Sequence, residues 1–278
     1  MSIGFSKTFG FERTLLAKAM REFQGKGTLS RSEIMSKLGI GGQKAEAIVL
    51  WLGKLGLRDN TTRQLTPLGR TLIEFDPYFN ESFTQWIFHY KLASNPEAEV
   101  WYLLSNEFLQ AQTWFSFGDA INFLVSKGLR SKNDKHLRAD VSIFLRSFIS
   151  VDALGKIEYL RIGGEPKRAV SLNKYYKNAP SYIPPYLIAY VIYDQREKHS
   201  PNISTITIEE LLMLKGNVGR IFSLNRPKLE EVLKLLSGPQ YNQLVYLATT
   251  GGLDQVGLKF KGNSMEILEM YFKRERKR

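Results

Sequence analysis

Residues 28 to 75, TLSRSEIMSKLGIGGQKAEAIVLWLGKLGLRDNTTRQLTPLGRTLIEF, carry a sequence of local signals that few folds accommodate. Ser30 and Glu33 have the spacing of a capping box, so a helix begins there and ends near Leu38. Gly39, Gly41 and Gly42 supply a turn in which positive φ is cheap for glycine. A second helix runs from Gln43 to about Leu55. Its Ala45, Ile48, Val49, Leu52 and Leu55 fall on one inward face, leaving Gln43, Lys44, Ala47, Leu50 and Lys54 to the other faces. Gly56 stops this helix. Arg58 to Arg63 is a polar loop, and Gln64-Leu65 pairs back as a short strand. Thr66 caps a new helix with Pro67 at its first position. Helix, tight turn, helix and wing is the layout of a winged helix-turn-helix, which offers its second helix to a DNA major groove and a basic loop to the backbone beside it.

Charge points the same way. The 278 residues hold 39 Lys and Arg against 27 Asp and Glu, a net of +12 and a pI near 9.7. Such a balance favours a polyanion as partner, here double-stranded DNA. The chain has no cysteine, which excludes disulfides, thiolate catalysis and thiolate-bound metal sites. Its three histidines, His89, His136 and His199, leave little for a histidine-rich metal centre. No signal-peptide pattern is visible, and the longest apolar runs are far shorter than a membrane span, so the expected location is cytoplasmic.

Further along, the plan repeats. Asp76-Pro77 ends the wing helix, and an aromatic helical region follows from about Glu81 to Phe108, with Phe83, Trp86, Ile87, Tyr90, Trp101, Leu104 and Phe108 as core between helices. Ser116 caps a helix from Phe117 to Val125, and another helix ends near Ile149. In the latter, Leu137, Val141, Phe144, Leu145 and Phe148 form the buried stripe, while Lys135, Arg138, Ser142 and Arg146 lie near the opposite face. Lys156 to Leu160 and Ala169 to Leu172 pair across Gly163-Gly164, with Lys167 and Arg168 near the tip. Beyond the linker at Ala179-Pro180 come helices near 185–197, 207–215 and 226–236, then a hairpin across Gly251-Gly252 and a last helix from Ser264. The expected class is therefore mainly α with small β wings, as tandem winged-helix-like modules. The divisions are an N-terminal winged-helix module with its aromatic extension (1–113), a basic helix-plus-wing module (114–178) and a C-terminal helical, winged-helix-like module (179–278). Residues 111–180 hold 12 bases and 6 acids, a net of +6, against +2 for residues 1–110 and +4 for 181–278. The DNA-binding set expected from this layout is Lys44, Arg63, Lys135, Arg138, Ser142, Arg146, Lys167 and Arg168, with the middle module gripping most strongly.

Catalytic patterns are scarce. There is no phosphate-binding glycine loop, no G-x-S-x-G elbow and no H-E-x-x-H. Metal-dependent phosphodiester cleavage needs carboxylates converging on a divalent ion. His89, Glu107 and Asp140 are the groups to test first, as base or metal ligands. Each also has a bland reading: His89 as a structural histidine, Asn106-Glu107 as a brace between helices, and Asp140 as the ion-pair partner of Arg138 or Lys135.

The segments LGIGGQKAEAIVLWLGKLGL (38–57), LTPLGRTLIEFDPYF (65–79), TQWIFHYKLA (84–93), WYLLSNEF (101–108) and KHLRADVSIFLRSF (135–148), with GRIFSLN (219–225) and GGLDQVGLKF (251–260), resemble the ordered motifs of a bacterial family long listed as a domain of unknown function. Members of that family resemble SspB, of the single-strand DNA phosphorothioate modification and defence system. Ser105 stands where the family pattern has an aromatic residue before Asn-Glu-Phe, a packing difference. The resemblance implies nicking of one strand of duplex DNA, with a divalent metal such as Mg, an endonuclease role in antiviral defence. It implies as partners a cysteine desulfurase, an ATPase and an ATP-pyrophosphatase-like sulfur-transfer protein. It supplies no catalytic residues that match positions here. The alternative, left open by the residues themselves, is a non-catalytic DNA-binding adaptor or transcriptional regulator.

Overall fold

A computed structural model describes residues 3–22, 30–178, 180, 182–250 and 253–275. The chain divides into two compact units, Met1–Asn178 and Ala179–Arg278. Both are mainly helical, and each contains one three-stranded antiparallel sheet.

The first unit opens with α1 (Arg13–Glu22), α2 (Arg31–Leu38), α3 (Gly42–Lys54) and α4 (Pro67–Phe75). Local chemistry sets their ends. The Ser30 side chain accepts from the Glu33 amide while the Glu33 carboxylate accepts from the Ser30 amide, the reciprocal capping box. Gly39 closes α2 in the left-handed region at φ 65°. Thr66 caps α4 through the Gly69 amide, with Pro67 in the first turn. Between α3 and α4 the chain makes one antiparallel bridge, Arg58 to Leu65. Gly69 is required for packing: a Cβ there would lie 2.2 Å from the Leu57 carbonyl oxygen.

α3 buries the face its periodicity suggests and widens it. Ala45, Ile48, Leu52 and Leu55 are buried as expected, Ala47 and Trp51 are buried as well, and Val49 is only half-buried. Trp51 sets the widened face. Its ring meets Phe5, Phe11 and Trp101 edge-on at 4.8, 5.3 and 5.6 Å between centroids. Such a large buried ring outweighs the branched side chain of Val49. Ala47 is thereby removed from any base-reading surface.

The aromatic region is broken rather than continuous. It forms α5 (Ser82–Ala93) and α6 (Glu99–Leu103), then a π-turn at Leu104–Phe108, then α7 (Leu109–Ala111). The seven aromatic and aliphatic residues expected in its core are all buried. Next come β1 (Trp114–Ser116), α8 (Phe117–Ser126), α9 (Lys135–Ile149), β2 (Leu160–Gly163) and β3 (Lys174–Lys177), in sheet order β1-β3-β2. The hairpin lies further along the chain than expected. Ala169–Leu172 is not a strand; Val170–Leu172 is a turn of 3₁₀ helix, and β3 uses the alternating Lys-Tyr-Tyr-Lys that follows it. Residues near the N-terminus bind these pieces together. The Gly4 amide donates to Asp140 on α9, Phe5 packs on Trp51, and Lys7 pairs with Glu46 on α3 at 2.5 Å.

The second unit comprises α10 (Pro185–His199), β4 (Thr205–Thr207), α11 (Ile208–Met213), α12 (Val218–Phe222), α13 (Arg226–Leu236), β5 (Val245–Thr250), β6 (Leu253–Leu258) and α14 (Ser264–Glu275). Its sheet has the order β4-β6-β5. In both sheets the lone strand that precedes the helices pairs with the second strand of the later hairpin. The tip at Gly251-Gly252 and the basic residues 276–278 lie outside the described residues.

Candidate nucleic-acid interface

α9 is the best-defined basic element. Asp134 caps it, accepting from the amides of His136 and Leu137 at 3.0 and 2.9 Å. Those hydrogen bonds hold its carboxyl below the usual carboxylate range. Leu137, Val141, Phe144, Leu145 and Phe148 are buried, so the helix has one fixed orientation. Lys135, Arg138 and Arg146 are exposed on the other side, and Ser142 is half-buried between them. The Arg138 guanidinium sits 5.0 Å from the ring centroid of Phe117 at the start of α8, a cation–π contact that holds it near the surface.

The β2–β3 loop adds two more cations. Asn173 is buried and clamps the loop: its Oδ1 accepts from the Lys167 amide at 2.7 Å and its Nδ2 donates to the Lys167 carbonyl at 3.0 Å. The Lys167 and Arg168 side chains stay exposed. Among the described residues, none of Lys135, Arg138, Arg146, Lys167 and Arg168 has a carboxylate within ion-pair distance. Arg161 differs, being paired with Glu158 at 2.5 Å. Arg130, Lys132 and Lys174 are exposed and extend the same charge, although the sequence did not single them out. Their signal was simply the excess of bases over residues 111–180.

In the first helix-turn-helix segment the two expected cations part company. The Lys44 ammonium is held by Glu12 at 3.1 Å. Arg63, at φ 60°, lines a cavity of about 560 Å³ with Arg31, Arg58, Ser30 and Ser32. Burial, and then the nearby Arg63, push the Arg58 pKa down. Arg31 and Arg58 were not foreseen, because only the bridge to Leu65 and the start of α2 bring them beside Arg63.

His89, Glu107 and Asp140 stand in three different settings. His89 is fully buried among Tyr159, Phe148 and Trp86, whose ring centroids lie 4.7, 5.2 and 5.8 Å away. Glu107 lies on the π-turn and pairs with Lys127, the residue that follows α8, at 2.5 Å. Its neighbour Asn106 is the brace, donating to the carbonyls of Ala93 and Tyr102 at 2.7 and 2.8 Å. Asp140 has no ion pair with Arg138 or Lys135. It turns to the buried side of α9 and accepts from the Gly4 amide at 2.6 Å. Burial raises its pKa to about 6, against the opposing effect of that hydrogen bond. A divalent cation requires oxygen ligands that converge. Among the described residues no three His, Asp or Glu side chains are grouped so as to hold one, so these three do not form a metal centre. No described helix is long and apolar enough to cross a membrane.

Two solved structures share this architecture over the whole chain. The "Magnesium ion-bound SspB crystal structure" is 18% identical with a TM-score of 0.78, and covers 100% of this chain and 89% of its own. The "SspB crystal structure" is 18% identical with a TM-score of 0.74 and the same coverage. No curated protein matches. The family described as "Protein of unknown function (DUF4007)" matches residues 6–272, nearly the full length, and the chain belongs to that family.

Proposed function

We propose that this protein is the DNA-binding component of a bacterial DNA phosphorothioate-modification system, and that it grips duplex DNA as a winged helix through α9 and the β2–β3 loop. The observation that carries the reading is the row of exposed cations on α9 and its adjoining loop, none of which has a carboxylate within ion-pair distance among the described residues. The strand–helix–helix–hairpin order of β1, α8, α9, β2 and β3 matches the placement of a recognition helix and wing. Magnesium is bound in one SspB structure. Transferred to this chain, the activity would be nicking of one strand, which opens the backbone to sulfur-transfer partners: a cysteine desulfurase, an ATPase and an ATP-pyrophosphatase-like protein.

A second reading has its own support. The separate settings of His89, Glu107 and Asp140 favour an adaptor that binds DNA and recruits those partners without cutting. Supercoiled plasmid incubated with purified protein, with and without Mg²⁺, separates the two. Conversion to open circles by the parent protein supports the nickase. Intact plasmid with undiminished duplex affinity supports the adaptor. Loss of salt-dependent duplex binding altogether overturns both.

A further inference from the structure

The second unit contains a cavity of about 480 Å³, lined by none of the residues proposed above to grip DNA. Its floor is apolar: Ile192 of α10, Ile206 of β4 and Leu258 of β6. Leu214, half-exposed after α11, stands at the mouth. Three of the seven polar side chains in the lining are basic, beside Gln195, Ser200, Asn217 and one acid. Arg196 and His199 follow Ile192 at steps of four and three on one face of α10, and Lys215 lies beyond Leu214. The one acid in the lining, Glu210, is engaged elsewhere: its carboxylate accepts from the Thr207 amide and hydroxyl, both at 2.8 Å.

Arg196 gives this cavity its chemical sense. Its guanidinium is stacked 4.6 Å from the Tyr193 ring centroid, which holds it in place. Among the described residues no carboxylate lies within ion-pair distance of this guanidinium, so its charge is left for an anion to meet. A volume within the range of about 300–1,000 Å³, an apolar floor and a few convergent polar groups are the attributes of a small-molecule site.

We propose that the cavity binds a small organic anion, with an apolar or aromatic body on Ile192, Ile206 and Leu258 and a carboxylate or phosphate at Arg196, His199 and Lys215. This site is independent of the α9 surface. Calorimetric titration of the full chain tests it with adenosine 5′-monophosphate and indole-3-acetate as anions, against adenosine and inorganic phosphate as controls. At least one anion is expected to bind at least about tenfold more tightly than either control, the signature of body and charge acting together. The carboxylate and phosphate probes identify which head group the rim prefers. Arg196→Gln, which removes the charge, and Leu214→Trp, which fills the mouth, are each expected to weaken that binding by about tenfold or more. Unchanged duplex affinity and melting temperature certify that the variants are folded. Absence of binding by both anions, equal binding of adenosine, or full affinity in both variants overturns the proposal.

Discussion

The α9 surface of the first unit and the α13 surface of the second are framed by sheets of the same strand order, yet they treat charge in opposite ways. On α9 the cations face solvent, and among the described residues none has a carboxylate within ion-pair distance. On α13, Arg226 is surrounded by Asp254, Glu230 and Glu209 at 2.8, 3.3 and 3.8 Å, and Lys228 pairs with Glu231 at 2.9 Å. Exposed pairs of this kind contribute little to stability, about 0–1 kcal/mol each. Their effect is on the field: they cancel the charge that a phosphate backbone would meet. One topology thus serves two surfaces, and the substitutions that distinguish them are few.

The sharpest way to break this contrast is to remove the α9 cations. Replacing Lys135, Arg138 and Arg146 by Ala is expected to lower duplex affinity by about two to three orders of magnitude at moderate salt. It should also flatten the log–log salt slope by about 2.7, three contacts at roughly 0.9 each. The matched triple on α13, Arg226, Lys228 and Lys234 to Ala, should change affinity by less than about threefold. Fluorescence anisotropy across a salt series reads both, and equal losses would erase the distinction. A smaller effect, about tenfold, is expected for Lys167→Ala with Arg168→Ala, since two contacts are lost. Arg63→Ala should cost only a few-fold, and Lys44→Ala less again because Glu12 already holds that ammonium.

The inner side of α9 offers a subtler test. Asp140 has its pKa raised from 3.8 to about 6 by burial, so the folded state binds its proton more tightly than the unfolded chain does. Its ionisation therefore costs stability as pH rises between about 4 and 6, and the full cost is present above 6. Asp140→Asn keeps an acceptor for the Gly4 amide and avoids the charge. It is expected to stabilise the protein at pH 7.5 by up to about 3 kcal/mol, with the advantage shrinking below pH 5. Denaturant melts at the two pH values check the sign. A loss of stability at pH 7.5 would mean that the charged carboxylate is needed where it stands.

Much of this architecture was legible because it is local. Ser30 with Glu33, Thr66 with Pro67, Ser116 and Thr207 announced helix starts, and each caps the helix expected. The buried stripe of α9 was readable for the same reason, since five apolar residues recur at one helical period. What escaped depends on distant pairing. β1 and β4 are three residues long and exist only through partners about 60 and 50 positions away. The burial of Trp51 on α3 depends on rings at positions 5, 11 and 101 that no local period reveals. Asp140 was misread because its position in a basic helix suggested an ion pair, whereas its partner is a backbone amide 136 residues earlier. The five basic positions of α9 and its loop were legible as a surface, whereas the pairing of Arg226 with Glu209 and Asp254, 17 and 28 positions away, was not.

The short segment from Gly4 to Lys7 touches α9 through Asp140 and α3 through both Trp51 and Glu46. It therefore works as a tie-bar between the two helices that lie nearest the basic surfaces. On the function proposed above, a load placed on α9 by a bound duplex would be shared with α3 instead of being borne by one helix alone. Losing the partly exposed Lys7–Glu46 pair alone would leave the Phe5–Trp51 and Gly4–Asp140 contacts in place, so the tie rests on the three together.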